Sequence, residues 1–407
     1  MPIPKAAPGT EYAYYFQYMI FVRGETGSDF FLDTYRYSPV YAPLYRGDEV
    51  YLVLEDLRRI YAPDMHAHRE GGRVRVTYGT PLLPEKTEWL EPEACIEQDG
   101  QIYIPVRILM ERLGKISWSN ESLIVVAVDG YENPAARFAG PVAAKKYRDL
   151  LTGRKGYGEL NYTLWLEGGQ RLIPYRMYIP SSYRPGVPNK TIICFHGGDA
   201  NPDYMFKHTH NEIAVRAERE GYILLALCSY RKYTGFGGMR LPNNGDREIF
   251  NAGNPNPCGL SPEELEWSVI AERSVAAQIE DAAGRFDLDR SRFYAIGNSA
   301  GSMGIFLQVG ILPAGTFRAV SCSGGCPLAE SVGVENLKIK GTKFLLLMGS
   351  EDELAGQRPF YEDYPYLKEH GLDIVYRSVG GGTHLLGWTH GLDEIFDFFR
   401  AADAERE

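Results

Sequence analysis

The chain has 407 residues, more than one hydrophobic core usually organises, so two domains are expected. Its 43 Lys and Arg face 53 Asp and Glu, a net charge of −10 with no basic run, which sets nucleic acid aside as a partner. No stretch nears the roughly 20 apolar residues of a membrane span, and six cysteines are too few for a disulfide scaffold.

The first residues, Met1-Pro2-Ile3-Pro4-Lys5, lack the apolar core of a signal peptide. The expectation is a cytoplasmic chain, or a secreted one if it has been trimmed to a mature start. A Tyr-rich, strand-like run covers 12–22. Residues 49–57 then echo 101–109: each is a short strand running into an amphipathic helix, with apolar residues at three- and four-residue spacing. Each is followed by a β-rich segment, 73–78 and 123–128. Two such β-α-β units can bury their helices on a shared sheet, giving a small α+β domain over residues 1–132. Residues 102–128 resemble the copper amine oxidase N-terminal-like, or stalk-type, domain. Tyr103, Pro105, Arg107, Leu113, Gly114 and Trp118 occupy the places of its Tyr-x-Pro-x-Arg turn, Leu-Gly and Trp hairpin. That resemblance spans residues 45–130 and implies no copper. His66 and His68 read as solvent-exposed loop histidines, and no metal-ligand set is expected.

Residues 133–157 read as a connector with one helix at 142–151, and 158–407 as a second domain. There, β-rich apolar runs at 191–195, 222–228, 292–296, 317–321, 344–348 and 373–376 alternate with helical patterns. The longest of these, 263–286, stands behind a capping box of Ser261 and Glu264. Continuous apolar strands alternating with helices indicate a mostly parallel sheet buried on both faces. An opening hairpin, 162–167 with 171–179, adds antiparallel strands at one edge. Cys194 and Cys228 read as core thiols. Cys322 and Cys326 are close enough to bridge, though lining a strand end is the simpler reading.

The strand at 292–296 runs into Gly297-Asn298-Ser299-Ala300-Gly301 and then a helical stretch. A turn this tight strains the serine, needs small residues two places away on each side, and lifts the hydroxyl clear of the sheet. Ser299 is the candidate nucleophile. A serine hydroxyl needs a base within reach, and the expected order is Ser, acid, His. The strand at 344–348 ends in Gly349-Ser350-Glu351-Asp352-Glu353, where Asp352 is favoured over Glu351 and Glu353. A Gly-rich loop then carries His384, favoured over His390, which suits a helix cap. His196-Gly197-Gly198-Asp199, after the strand at 191–195, supplies an oxyanion loop: the donors expected are the N–H of Ala300 and one from Gly198 or Asp199. His196 is expected to brace that loop.

Four features in this order resemble an α/β-hydrolase over residues 155–403, preceded by the small α+β domain. The stretch from Phe293 to Gly304 and the histidine loop resemble the polyhydroxybutyrate-depolymerase-like and feruloyl-esterase-like branch. Gly301-Ser302 departs from the Gly-Gly common there. The resemblance implies a serine carboxylic-ester hydrolase working without metal or organic cofactor, on aryl or carbohydrate-linked esters. The long segment 230–260 follows a strand's carboxyl end, where open α/β sheets bind ligands; Tyr230, Tyr233 and Phe236, with Trp267 and Trp388, are the expected substrate contacts. Two alternatives stay open: a serine peptidase of the prolyl-oligopeptidase type, although no blade-length repeats occur, and a non-catalytic cell-wall or glycan-binding module. Homo-oligomerisation through the N-terminal domain also stays open.

Overall fold

The computed structural model describes residues 18–24, 28–60, 65–80, 83–127, 133–151, 158–166, 171–198, 200–231, 233–243, 248–251, 253–355 and 358–405. It divides into two units. One holds the described residues of 18–151 and 160–174; the other holds Gly158, Glu159 and the described residues of 175–405.

In the N-terminal unit the two echoing segments become strand-and-helix pairs, Glu49–Val53 with Leu54–Ile60 and Gln101–Pro105 with Val106–Arg112. Their strands pair antiparallel, Leu52 opposite Ile104, at the centre of a four-stranded sheet edged by Leu44–Arg46 and Ile96–Gln98. The Glu49 carboxylate accepts the N–H groups of Arg107 (2.7 Å) and Ile108 (3.0 Å). The first copy thus caps the helix of the second, satisfying donors that a helix start leaves open.

The β-rich segments that follow do not share this sheet, contrary to expectation. Arg73–Thr80 is the middle strand of a separate antiparallel sheet with Met65–Glu70 and Leu83–Leu90, and Leu123–Ala127 pairs with Tyr18–Val22. His66 and His68 therefore lie on a strand rather than a loop, both exposed. In Tyr18–Val22, Met19 and Phe21 enter one apolar core while Tyr18, Ile20 and Val22 enter another, the alternation of a strand covered on both faces. Residues 12–17 of the Tyr-rich run lie outside the described residues, as do 152–157. Helices Pro134–Phe138 and Pro141–Leu151 fall in the segment read as a connector, and they add Phe138 and Tyr147 to the second core.

The C-terminal unit is a mixed α/β arrangement. Its strands lie in the order 175–179 (the end of strand Arg171–Ile179), Ile223–Ala226, Asn189–Phe195, Leu288–Asn298, Ala319–Ser323, Lys343–Gly349 and Ile374–Val379. The first pairing is antiparallel and all the others are parallel. Ile192, Cys194, Tyr294, Ile296, Leu345 and Leu347 share a core with Ile213 and Ala217 of helix Glu212–Glu220 and with Phe396 and Phe399 of helix Leu392–Ala404. Alternate residues, Ile193, Phe195, Ala295, Val320 and Leu346, are equally buried on the other face, where Phe344 stacks on Phe306 of helix Ala300–Ile311 at 5.2 Å. Double coverage is why these strands read as unbroken apolar runs. Helix Pro262–Arg285 starts at the expected box: Ser261 Oγ accepts from Glu264 N, and Glu264 accepts from Ser261 N. No helix among the described residues is long and apolar enough to cross a membrane. Cys322 and Cys326 are free, buried thiols.

In-register parallel pairing brings the carboxyl ends of the strands level: Phe195 lies opposite Gly297, Asn298 opposite Ser323, and Gly349 opposite Val379. The loops that bear the candidate chemistry all leave from that edge.

Candidate active site

Ser299 stands between strand Leu288–Asn298 and helix Ala300–Ile311 with φ 55° and ψ −119°. Holding a residue with a Cβ there costs about 1–3 kcal/mol and needs firm surroundings. A Cβ on Gly301 would lie 2.1 Å from the Phe195 carbonyl oxygen, and one on Gly297 2.8 Å from the Gly301 carbonyl. Both glycines are thus demanded by backbone contact. Ser302 explains the departure from Gly-Gly. Its buried hydroxyl accepts the Ser323 N–H (2.8 Å) and can donate to the carbonyl of Ser323 (2.7 Å) or Gly297 (2.9 Å), pinning the turn to the neighbouring strand.

His384 and Asp352 meet because their loops zip together. Ser350 N donates to Val379 O and Glu351 N to Gly382 O, and a Cβ on Gly349 would stand 2.1 Å from Gly382 O. His384 Nδ1 lies 2.9 Å and 3.0 Å from the two Asp352 oxygens. Asp352 Oδ1 also accepts the N–H groups of Leu354 (3.0 Å) and Ala355 (2.8 Å). Burial alone would raise the Asp352 pKa, but the His384 hydrogen bond, the Ala355 N–H, the His384 charge and the Leu354 N–H together hold it below the usual carboxylate value. Glu351, Glu353 and His390 are exposed and take no part in this pair. Gly324 and Gly325 join the two halves of the site: a Cβ on Gly324 would meet His384 Nδ1 at 3.1 Å, and one on Gly325 the Ser299 carbonyl oxygen at 2.8 Å.

On the other side of Ser299, a Cβ on Gly198 would lie 3.9 Å from Ala300 Cβ and 3.4 Å from the Tyr233 ring. Ala300 opens its helix, where backbone N–H groups have no partner within the helix. Asp199 lies outside the described residues. His196 Nδ1 is 2.7 Å from Gly197 O, and its Nε2 accepts the Ser229 N–H at 3.2 Å. Burial pushes its pKa down to about 4 against a small upward pull from the Gly197 bond, so the ring is a neutral brace for the loop.

No family model matches this chain, and no curated protein does. Solved structures resemble part of it. The fluorophosphonate-binding serine hydrolase FphF of Staphylococcus aureus is 11% identical, covers 60% of this chain and 98% of its own, and has a TM-score of 0.42. A ferulic acid esterase of Anaeromyces mucronatus is 13% identical, with coverage of 58% and 88% and a TM-score of 0.44. An S-formylglutathione hydrolase of Agrobacterium tumefaciens is 15% identical, with coverage of 60% and 94% and a TM-score of 0.42. At such values they leave the reaction to be argued from the residues.

Of the five expected substrate contacts, two are core. Phe236 is fully buried, its ring 4.8 Å from Phe195 and 5.0 Å from His196. Trp388 is fully buried and stacks on Tyr204 at 6.0 Å. Both are drawn inward because a large ring beside a Gly-rich loop fills space the glycines leave empty. Tyr230 is also buried, with φ 68°. Tyr233 and Trp267 keep partial exposure. Much of the long segment is likewise no open loop. The turn Gly235–Arg240 is buried, Arg240 pairs with Glu272, and a Cβ on Gly238 would lie 2.3 Å from the Met303 carbonyl carbon.

Sequence reasoning passed over Asn298. It is buried; its Oδ1 accepts from Tyr204 OH (2.6 Å) and its Nδ2 donates to the His384 carbonyl (3.2 Å). A polar residue in the middle of an apolar strand end was the available signal, since such a side chain must be bonded to something.

Proposed function

We propose that this chain is a serine carboxylic-ester hydrolase of the α/β-hydrolase type. The observation that carries this reading is the His384 imidazole held by both oxygens of Asp352 beside a strained Ser299 at a strand-to-helix turn. With Nδ1–H given to Asp352, Nε2 is left as the base. Ser299 Oγ attacks the ester carbonyl carbon while its proton passes to His384. The oxyanion is met by the N–H of Ala300 and one from the loop at Gly198 and Asp199. Collapse expels the alcohol, which takes the proton back from His384, and leaves the acyl group on Ser299. Water, deprotonated by His384, then releases the acid and restores the hydroxyl. Asp352, held ionised, keeps the imidazole oriented and stabilises its charged form. Aryl or carbohydrate-linked esters are the substrate class proposed, approached past Tyr233 and Trp267. The Tyr103, Pro105 and Arg107 turn supports a stalk-like reading of the N-terminal unit, with no metal chemistry assigned to it.

The test is initial rates on p-nitrophenyl acetate, p-nitrophenyl butyrate and methyl ferulate. Ser299→Ala is expected to lower kcat at least about 10,000-fold and to abolish fluorophosphonate labelling. Turnover that survives the substitution would end the reading, and a wild-type preference for methyl ferulate would support the aryl-ester class.

A further inference from the structure

The turn after strand Ile223–Ala226 is fastened at three points. Gln278 of helix Pro262–Arg285 accepts the N–H of Cys228 (2.8 Å) and donates to its carbonyl (2.9 Å). The Ser229 N–H reaches His196 Nε2. A Cβ on Gly235 would stand 2.9 Å from the Ala300 carbonyl oxygen. The segment between these anchors is therefore tied to the oxyanion loop at one end and to the nucleophile's helix at the other. Arg231 sits in the middle, its N–H donating to Ser229 O (2.8 Å) and its carbonyl accepting from Thr234 Oγ1 (2.9 Å).

The Arg231 guanidinium carbon lies 4.3 Å from the Trp267 ring centroid and 5.6 Å from that of Tyr230. Arg216, Arg240, Arg318 and Arg358 in the same unit each hold a carboxylate. The Arg231 guanidinium has neither a carboxylate nor a carbonyl partner among the described residues, and its Nε is buried without a hydrogen bond. A guanidinium stacked on an indole face is fixed in plane and keeps its N–H edge for a planar anion, which it can hold through two parallel bonds. The chain carries a net charge of −10, so an anionic ester is repelled at long range and needs a local cation at the mouth.

We propose that Arg231, braced on Trp267, is a subsite for a carboxylate carried by the ester substrate. The proposal rests on the esterase reading above and narrows it to acidic esters. Trp267 then acts as the platform for Arg231 rather than as a direct substrate contact.

The experiment compares matched anionic and neutral esters. One pair, 4-acetoxybenzoate and its methyl ester, places the charge on the alcohol side. The other, p-nitrophenyl hydrogen adipate and p-nitrophenyl hexanoate, places it on the acyl side. In Arg231→Gln the anionic-to-neutral ratio of kcat/KM should fall at least tenfold, mainly through KM, with Arg231→Lys keeping part of it. Fluorophosphonate labelling of each variant checks that the site has folded. Ratios unmoved in both pairs would overturn the Arg231 subsite. Absence of wild-type turnover on the neutral members would instead overturn the esterase reading, and the subsite with it.

Discussion

Ser299, His384 and Asp352 arrive from three strands, and small bonds outside the trio decide whether they meet. Asn298 is the most instructive. One amide ties the strand end before Ser299 to the backbone of His384 on one side and to Tyr204 on the other. Asn298→Ala removes the tie to His384 and leaves the Tyr204 hydroxyl without its acceptor. The expected result is a kcat about tenfold lower, near 1.4 kcal/mol, with KM little changed. An unaltered kcat would show that the residue only packs. Ser299, Asp352 and His384 could be singled out in sequence by residue type, spacing and order around a strand-to-helix turn and two later loops. Asn298 and Ser302 could not, because the partners that tie them to other elements, Tyr204, His384 and Ser323, lie 21 or more positions away in the chain.

Among the elements, helix Ala300–Ile311 organises the site, and it is buried on almost every side. Such a helix is apolar all round, and only glycines on the facing chain let backbone approach it. Gly235, Gly237 and Gly238 do this for the turn Gly235–Arg240, and Phe236 and Gly237 adopt positive φ (56° and 87°) within it. Gly238→Ala would push a methyl into the Met303 carbonyl, which cannot yield without moving the helix. A loss of about 3 kcal/mol is expected, read by denaturant titration; a value within experimental error of the wild type would mean that the turn is free to lift. The aromatic density of 230–260 looked like a pocket lining. Phe236 is instead packed in the core against Phe195 and His196, because a ring placed beside glycines fills core as readily as it lines a cleft.

For the molecule as a whole, the pH dependence of stability follows from buried titratable groups. His196 has a folded pKa of about 4 against an ordinary 6.5, so between those values the unfolded chain binds more protons. Stability is intact above about pH 6.5 and is lost as pH falls toward 4, by about 3 kcal/mol from this residue. Asp352 adds to the trend at lower pH, its depressed pKa stabilising the fold above the unfolded value and failing as pH drops through the folded one. Asp363, whose carboxyl pKa is raised by burial to about 6, gains stability as pH falls through that value and pulls the other way. His196 is therefore read from the difference between wild type and His196→Asn in urea midpoints of the full chain between pH 8 and 4, the variant losing less toward pH 4. An equal slope in the variant would remove His196 as a source of the loss.

The amino-acid sequence by itself determined the alternation of strands and helices in the C-terminal unit, the two echoing strand-helix segments, and the positions of the Ser299 turn and of the loops bearing Asp352 and His384. These are local properties: period, turn chemistry and capping act within a few residues. Tertiary structure alone decided that Phe236 and Trp388 are core. It also decided that the segments at 73–80 and 123–127 join separate sheets and that Arg231 stands on Trp267 with no carboxylate partner among the described residues. Each of these depends on which distant backbone comes within a few ångströms, and a strand or loop carries the same local pattern whichever neighbour it finds.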